Sequence, residues 1–289
     1  AETRVCLILS LIMNLTYLGL NILFIVGFDM GVMGLVISLI LAKVIGASAA
    51  TIYILKYCHK IHFRIRDVLH VDMAIVKKIM FVGLPFAAEQ MFFNGGKLLT
   101  QTYIVQFGTL AITANAISGS ISMLSQIGGA ALSIAIVTVV GQCIGRGDIQ
   151  DARRYVRAFL WLSSMTFIVA LILILPLFPV LMALFSPPDE IVPLIFQLTL
   201  MLLLAQPMFW SISFIMPSAL RAAGDSRFTS ITSMLTMWLL RVILGYVLGV
   251  TLGFGVLGVW AAMITEWLVR GIIFTLRFRG DKWYRHKLV

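Results

Sequence analysis

The chain has 289 residues, of which 61% are hydrophobic and only 12% are charged, whereas a soluble domain carries roughly 25% charged residues. A soluble fold of this size could not bury so much apolar surface, so the composition excludes a soluble enzyme and a disordered chain. The formal net charge of +10 does not indicate nucleic-acid binding, because the basic residues lie in short breaks between long apolar runs. We therefore expect an integral membrane protein with no nucleic-acid partner.

Apolar segments follow one another along the whole chain, and eight of them have the length of a spanning helix, which needs about 20 residues. None alternates with a period of two, so the segments predict helices and not strands. In chain order the predicted spans are Leu7–Val26, Val32–Leu55, Ile79–Phe107, Ala114–Gly141, Val156–Phe185, Ile191–Leu220, Phe228–Leu252 and Val256–Leu276. The predicted fold class is all-α, as a polytopic membrane protein.

Among the connections between these spans, only alternate ones contain Lys or Arg. The second, fourth and sixth connections, the segment ahead of the first span and the C-terminal tail are basic, whereas the other connections contain neither residue. The positive-inside rule then predicts that the basic connections and both ends of this chain are cytoplasmic. We expect a multi-pass protein of the plasma membrane.

Two stretches of the sequence form an internal repeat. Glu2-Thr3-Arg4 precedes an apolar span and then Gly31-Val32-Met33-Gly34, and Asp225-Ser226-Arg227 precedes an apolar span and then Gly255-Val256-Leu257-Gly258. Both copies run in the same direction, which predicts parallel repeats related by an axis along the membrane normal. Four spans precede the second copy and none precedes the first, so by analogy the complete protein would have twelve spans.

Glu89 is the first candidate for a functional residue, because charges inside spans are costly and usually mark function. It lies about ten residues into its predicted span, one turn after Pro85. A helical period of 100° puts it in one polar stripe with Gln90, Asn94, Lys97 and Gln101. A desolvated carboxyl can exchange a proton, so we expect Glu89 to be a coupling-ion or proton site. The alternative is a structural carboxyl that is protonated or paired with Lys97.

A second polar stripe follows on the next predicted span. Small residues interleave with it, so helix packing explains this stripe as well as a functional site does. The residues predicted to line a substrate cavity are Gln90, Asn94, Lys97, Asn115, Ser122 and Gln126. Glu266 and Arg270 are one helical turn apart, and Arg241 on the preceding span is in a position to join them, so these three residues predict a structural ion pair. We expect no metal site.

Four segments of the chain carry a family resemblance: Gly83-Leu84-Pro85 with Glu89-Gln90, then Val140–Asp148, Ala219–Arg227, and Gly258-Val259-Trp260. In these segments the sequence resembles the multidrug and toxin extrusion (MATE) family. The resemblance implies a monomeric, two-lobed antiporter of twelve helices that exports drugs or organic cations in exchange for Na⁺ or H⁺, with membrane lipids around it and no other cofactor. Residues 1–58 would be the last two helices of the N-lobe, 59–78 a basic cytoplasmic linker, and 79–289 the six-helix C-lobe with its tail. Glu89 falls where some members carry a glutamate used in cation coupling.

Two other functions are alternatives to the exporter. A lipid-linked saccharide flippase of the same superfamily must hold a pyrophosphate, and Lys43, Lys97, Arg241 and Arg270 inside spans keep that alternative open. A membrane enzyme is not expected, since the sequence has no His or Cys cluster, no paired carboxylates at mid-depth and no nucleophile motif.

Overall fold

The computed structural model describes residues 3–57 and 72–284, and the chain divides into two units, Ala1–Val76 and Lys77–Val289. All regular elements of the described residues are helical. The longer helices are α1 (Thr3–Asn21), α2 (Gly31–Tyr57), α3 (Met73–Gln106), α4 (Thr109–Gly145), α5 (Ile149–Phe185), α6 (Val192–Ala205), α7 (Ser211–Ala222), α8 (Ser226–Thr236) and α9 (Gly255–Arg279). Most of the predicted linker, 59–78, lies outside the described residues.

Wider π-helical turns interrupt or extend several of these helices. They cover Ile22–Gly27 after α1, Gln206–Trp210 between α6 and α7, and Met237–Ile243 and Val247–Thr251 after α8. Helix α6 and helix α7 therefore form one span, and α8 with the turns that follow it forms another. Helix α3 is continuous across Pro85. All eight predicted spans correspond to helical segments.

Seven segments of the described residues are long and apolar enough to cross a membrane. The segment that does not meet this standard is α3, which carries the polar stripe around Glu89. The prediction of an all-α polytopic membrane protein is confirmed.

The first unit is a helical hairpin of α1 and α2. Its helices approach closely where α2 has glycines, because a Cβ at Gly46 would lie 3.0 Å from Met13 and one at Gly34 would lie 3.1 Å from Phe24. Small residues at such positions are the usual means by which helices pack in a membrane.

The same sharp turn ends both α4 and α7 in the second unit. Gly147 and Gly224 take positive φ angles of 76° and 95°, and the amide of the following aspartate bonds back to a carbonyl near the helix end, at Cys143 and at Leu220. Glycine suits this left-handed position because it has no Cβ. The two Gly-Asp motifs of the sequence are thus helix ends that reverse the chain.

A layer of polar side chains separates two apolar clusters in the second unit. Along α9, Trp267 belongs to one cluster and Phe274 to the other, and Arg270 lies between them. Along α5, Ser163 lies in the same way between Val156 and Phe167. Arg270, which pairs with the buried Glu266, therefore lies in a polar layer between the two apolar clusters.

The local structure of the sequence repeat agrees between its two copies. Each first helix ends in a π-helical turn, at Ile22–Gly27 and at Val247–Thr251. Each second helix then begins at a glycine with a similar positive φ, 53° at Gly31 and 58° at Gly255. The two copies therefore share their turn geometry as well as their sequence.

Candidate functional site

Glu89 lies buried where α3, α7 and α8 meet, with only 3% of its surface exposed. Its Oε1 accepts a hydrogen bond from Nη2 of Arg221 at 3.1 Å, and its Oε2 accepts one from the hydroxyl of Ser230 at 2.6 Å. A carboxylate with one cationic and one neutral donor is well solvated by the protein itself, and such bonds are stronger than neutral ones. The carboxylate therefore has a fixed internal counter-ion in this state.

The partner of Glu89 differs from the sequence-based alternative. Lys97 does not pair with it: the Lys97 ammonium lies 4.9 Å from the centre of the Phe93 ring. Arg221 follows directly after the predicted span Ile191–Leu220, but in the structure it belongs to the last turn of α7. Glu89, near the middle of α3, therefore meets the last turn of α7 and, at Ser230, the second turn of α8.

A cavity of about 220 Å³ opens beside Glu89. Hydroxyl, amide, aromatic and guanidinium groups line it, which is the mixture that small-molecule sites use to orient a ligand. Its lining residues are Glu89, Gln90, Phe93, Ser133, Ser213, Phe214, Pro217, Ser218, Arg221, Ser233 and Arg270.

A second buried cluster contains Arg241, Glu266 and Arg270. Glu266 is fully buried, and its two oxygens lie 2.9 Å from Nη2 of Arg241 and 2.6 Å from Nη1 of Arg270. Arg270 also donates from Nε to the hydroxyl of Ser213 at 2.6 Å. The structure thus brings together the three residues that the sequence predicted as an ion pair.

Phe93 connects the two clusters. The side chains of Lys97, Arg241 and Arg270 lie 4.9, 5.8 and 5.9 Å from the centre of its ring, within the range of cation–π attraction. Phe93 also lines the cavity beside Glu89. Each of these cations is attracted to the π-system of the ring, and this attraction partly offsets the repulsion among them.

The other predicted cavity residues do not gather around Glu89, apart from Gln90. Asn115 accepts a hydrogen bond from the Trp260 indole at 2.9 Å and lies 3.3 Å from Gln101, and Gln126 bonds to Ser122 within α4 at 2.6 Å. Asn94 and Lys97 are exposed on the second unit. Of the six residues predicted to line a substrate cavity, the cavity beside Glu89 includes Gln90, and for the other five a place in a substrate cavity stays a prediction.

The hairpin geometry explains this separation. Helices α3 and α4 are antiparallel and joined at Gly108, so residues at equal distances from the turn, such as Gln101 and Asn115, lie side by side. Glu89 is farther from the turn, and the α4 residue at its cavity is Ser133. The helical period correctly placed polar residues on a stripe, but the register of the hairpin decided which ones meet.

Sequence reasoning missed Arg221, Ser230, Ser213 and Phe93. The available signal was the position of Arg221 at the end of an apolar segment inside the Ala219–Arg227 motif, where a long side chain reaches back into the membrane layer. Nothing in the sequence indicated that the hydroxyls of Ser213 and Ser230 point to charged partners.

A helical bundle with buried carboxylate–arginine clusters around an internal cavity is the architecture of a polytopic membrane transporter. A model of the MatE family matches residues 85–247, and the chain belongs to that family. The resemblance read from the sequence is confirmed, and proteins of this family are transporters and not enzymes.

Curated relatives extend well beyond this chain. It is 28% identical to the "Uncharacterized transporter YisQ" of Bacillus subtilis over 88% of this chain and 55% of that protein. It is 27% identical to the "Probable multidrug resistance protein NorM" of Thermotoga maritima over 90% of this chain and 56% of that protein. The chain thus spans about half the length of the curated relatives it matches.

Solved structures share the fold at low sequence identity. One is described as the outward-facing conformation of a multidrug resistance MATE family transporter of the MOP superfamily, with a TM-score of 0.82, 17% identity, and coverage of 94% of this chain and 61% of that one. Another, the MATE transporter ClbM in complex with Rb⁺, has a TM-score of 0.76 and 20% identity, and covers 96% of this chain and 62% of that one. These likenesses concern the fold alone.

Proposed function

We propose that this chain contributes the C-lobe and the last two N-lobe helices of an antiporter that exports drugs or organic cations in exchange for Na⁺ or H⁺. Its basic connections and both ends of this chain would lie in the cytoplasm, and it would act in the plasma membrane, as a monomer when complete. The relatives described as multidrug resistance proteins favour small-molecule export. The observation that carries the coupling part of the proposal is the buried Glu89 carboxylate, held by Arg221 beside a cavity.

Charge balance suggests how such a site would couple two cations. The two clusters together contain three arginines, Arg221, Arg241 and Arg270, and two carboxylates, and Lys97 lies against the Phe93 ring that connects them. When Glu89 takes up a proton or Na⁺, its bond to Arg221 weakens and the cavity becomes more positive by one charge. A cationic drug is then expelled by repulsion, because Coulomb interactions are strong in a poorly solvated site. Loss of the coupling ion restores the Glu89–Arg221 pair and the lower positive potential.

Glu89→Gln in the full-length protein tests this role. Gln has nearly the same shape, so the loss of packing is small, and we expect folding and drug binding to persist while export no longer responds to an ion gradient. Drug efflux from vesicles is measured under imposed Na⁺ and H⁺ gradients. Glu190→Gln, which alters an exposed carboxylate between two spans, is the matched control and keeps coupled export.

The gradient experiment also has a clear contrary outcome. If Glu89→Gln exports drug as fast as the parent under both gradients, Glu89 is structural and the coupling assignment fails. If only one gradient ceases to drive export, the experiment identifies the coupling ion.

A further inference from the structure

A long apolar groove runs along the outer surface of the second unit, away from the Glu89 cavity. It has a volume of about 630 Å³, and its walls come from α5, from the π-helical turn Gln206–Trp210 and from α9. Its two hydroxyl groups bond to backbone carbonyls, Ser164 to Pro207 at 2.6 Å and Thr275 to Gly271 at 2.8 Å. The hydroxyls are thereby satisfied internally, and the groove wall is largely hydrocarbon.

One end of the groove is basic. Arg279 lines it directly, and Arg157 lies one helical turn before Trp161, on the face of α5 that lines the groove. Arg153, one turn before Arg157, lies 2.9 Å from Asp281 and donates to the carbonyl of Gly280 at 3.3 Å. Within the part of the chain that the structure describes, no carboxylate pairs with Arg157 or Arg279.

The length of the groove corresponds to one leaflet. From Arg279 to Trp267, which lines its far end, α9 advances 12 residues, or about 18 Å at 1.5 Å per residue. Half of a ~30 Å hydrocarbon core is about 15 Å. Trp161, 66% exposed and one turn inward from Arg157, stands near the basic end, as aromatic residues do at membrane interfaces.

We propose that this groove is a binding site for an anionic phospholipid, whose acyl chain lies between α5 and α9 and whose phosphate contacts Arg157 and Arg279. A neutral lipid would leave the two guanidinium groups without a counter-charge, and a cationic amphiphile would be repelled by them. Basic pockets at the ends of spanning helices are known to select anionic head groups, at a gain of roughly fivefold in affinity for each arginine near the surface. This site is independent of the proposed transport cycle.

Quenching of Trp161 fluorescence by brominated lipids tests the proposal. The full-length protein is reconstituted in vesicles containing brominated phosphatidylglycerol or brominated phosphatidylcholine, and the Trp161→Phe signal is subtracted to isolate this indole. We expect phosphatidylglycerol to bind at least fivefold more tightly than phosphatidylcholine, and the preference to decrease with salt. The double variant Arg157→Gln with Arg279→Gln should reduce the ratio of the two lipid affinities to about one. The double Lys variant, which keeps both charges, should still prefer phosphatidylglycerol.

A matched control separates local binding from general surface charge. Arg146→Gln removes another exposed arginine at the end of α4, outside the groove, and should leave the preference unchanged. Equal quenching by both lipids in the parent protein, or a preference that persists in the double Gln variant, overturns the proposal. Absence of quenching by either lipid also overturns it, because the groove would then be covered by protein.

Discussion

Removal of the Glu266 carboxylate is the perturbation whose cost follows most directly from the structure. Glu266 is fully buried between Arg241 and Arg270, whose side chains are 8% and 3% exposed. In Glu266→Ala both guanidinium groups remain buried without their shared counter-ion, and the Lys97 ammonium lies near the same Phe93 ring. Breaking a buried pair in this way costs about 3–5 kcal/mol.

This cost is large compared with the stability of a domain, which is about 5–15 kcal/mol. For a domain of 150–250 residues each kcal/mol lowers the Tm by roughly 2–4 °C, so we expect Glu266→Ala to melt about 6–20 °C below the parent. Its abundance in membranes should fall before any effect on transport is seen. The assay combines membrane protein levels with thermal unfolding of the purified protein followed by loss of its monodisperse peak.

A second variant tests whether the cost comes from the arginines that lose their counter-ion. Glu266→Gln with Arg270→Met removes one pair together and leaves only Arg241 uncompensated, so its Tm should lie above that of Glu266→Ala. A Glu266→Ala protein with the parent's Tm and abundance would refute the reasoning. If it were also inactive in transport, Glu266 would belong to the working site and not to the framework.

Three further substitutions test the framework of the second unit. Gln206 is fully buried, and neither of its side-chain amide atoms has a hydrogen-bond partner among the described residues. Gln206→Leu should therefore leave the free energy of unfolding unchanged or raise it by up to about 3 kcal/mol. A lower Tm would reveal a polar partner of Gln206. Asp225 accepts two hydrogen bonds from Arg277, at 2.7 and 3.2 Å, so Asp225→Asn should cost about 2 kcal/mol in thermal unfolding, whereas Asp281→Asn, which weakens an exposed pair, should cost under about 1 kcal/mol. Asp148 caps α5 by accepting from the Asp151 amide at 2.9 Å, and Asp148→Ala should lower the free energy of unfolding by about 1 kcal/mol; equal stability would show that the cap contributes nothing.

The membrane architecture follows from the sequence because its causes are local. A run of apolar residues must form a helix in a bilayer, since no water is present to satisfy the backbone. The alternation of basic connections and the two Gly-Asp turns are likewise read from neighbouring residues. For the same reason the Glu266–Arg270 pair could be predicted, because its members are one turn apart on one helix.

The composition of the cavity could not be predicted, because it depends on the register between helices. Glu89 and Arg221 are 132 residues apart in the chain, and Glu89 and Ser230 are 141 apart. Helical periodicity identifies the face on which each residue lies, but a shift of one turn along α7 would bring a different side chain opposite Glu89. The position of α7 along its neighbours is fixed by the packing of the apolar clusters on either side of the polar layer. The tertiary structure alone therefore decided that Arg221, and not Lys97, neutralises the buried carboxylate.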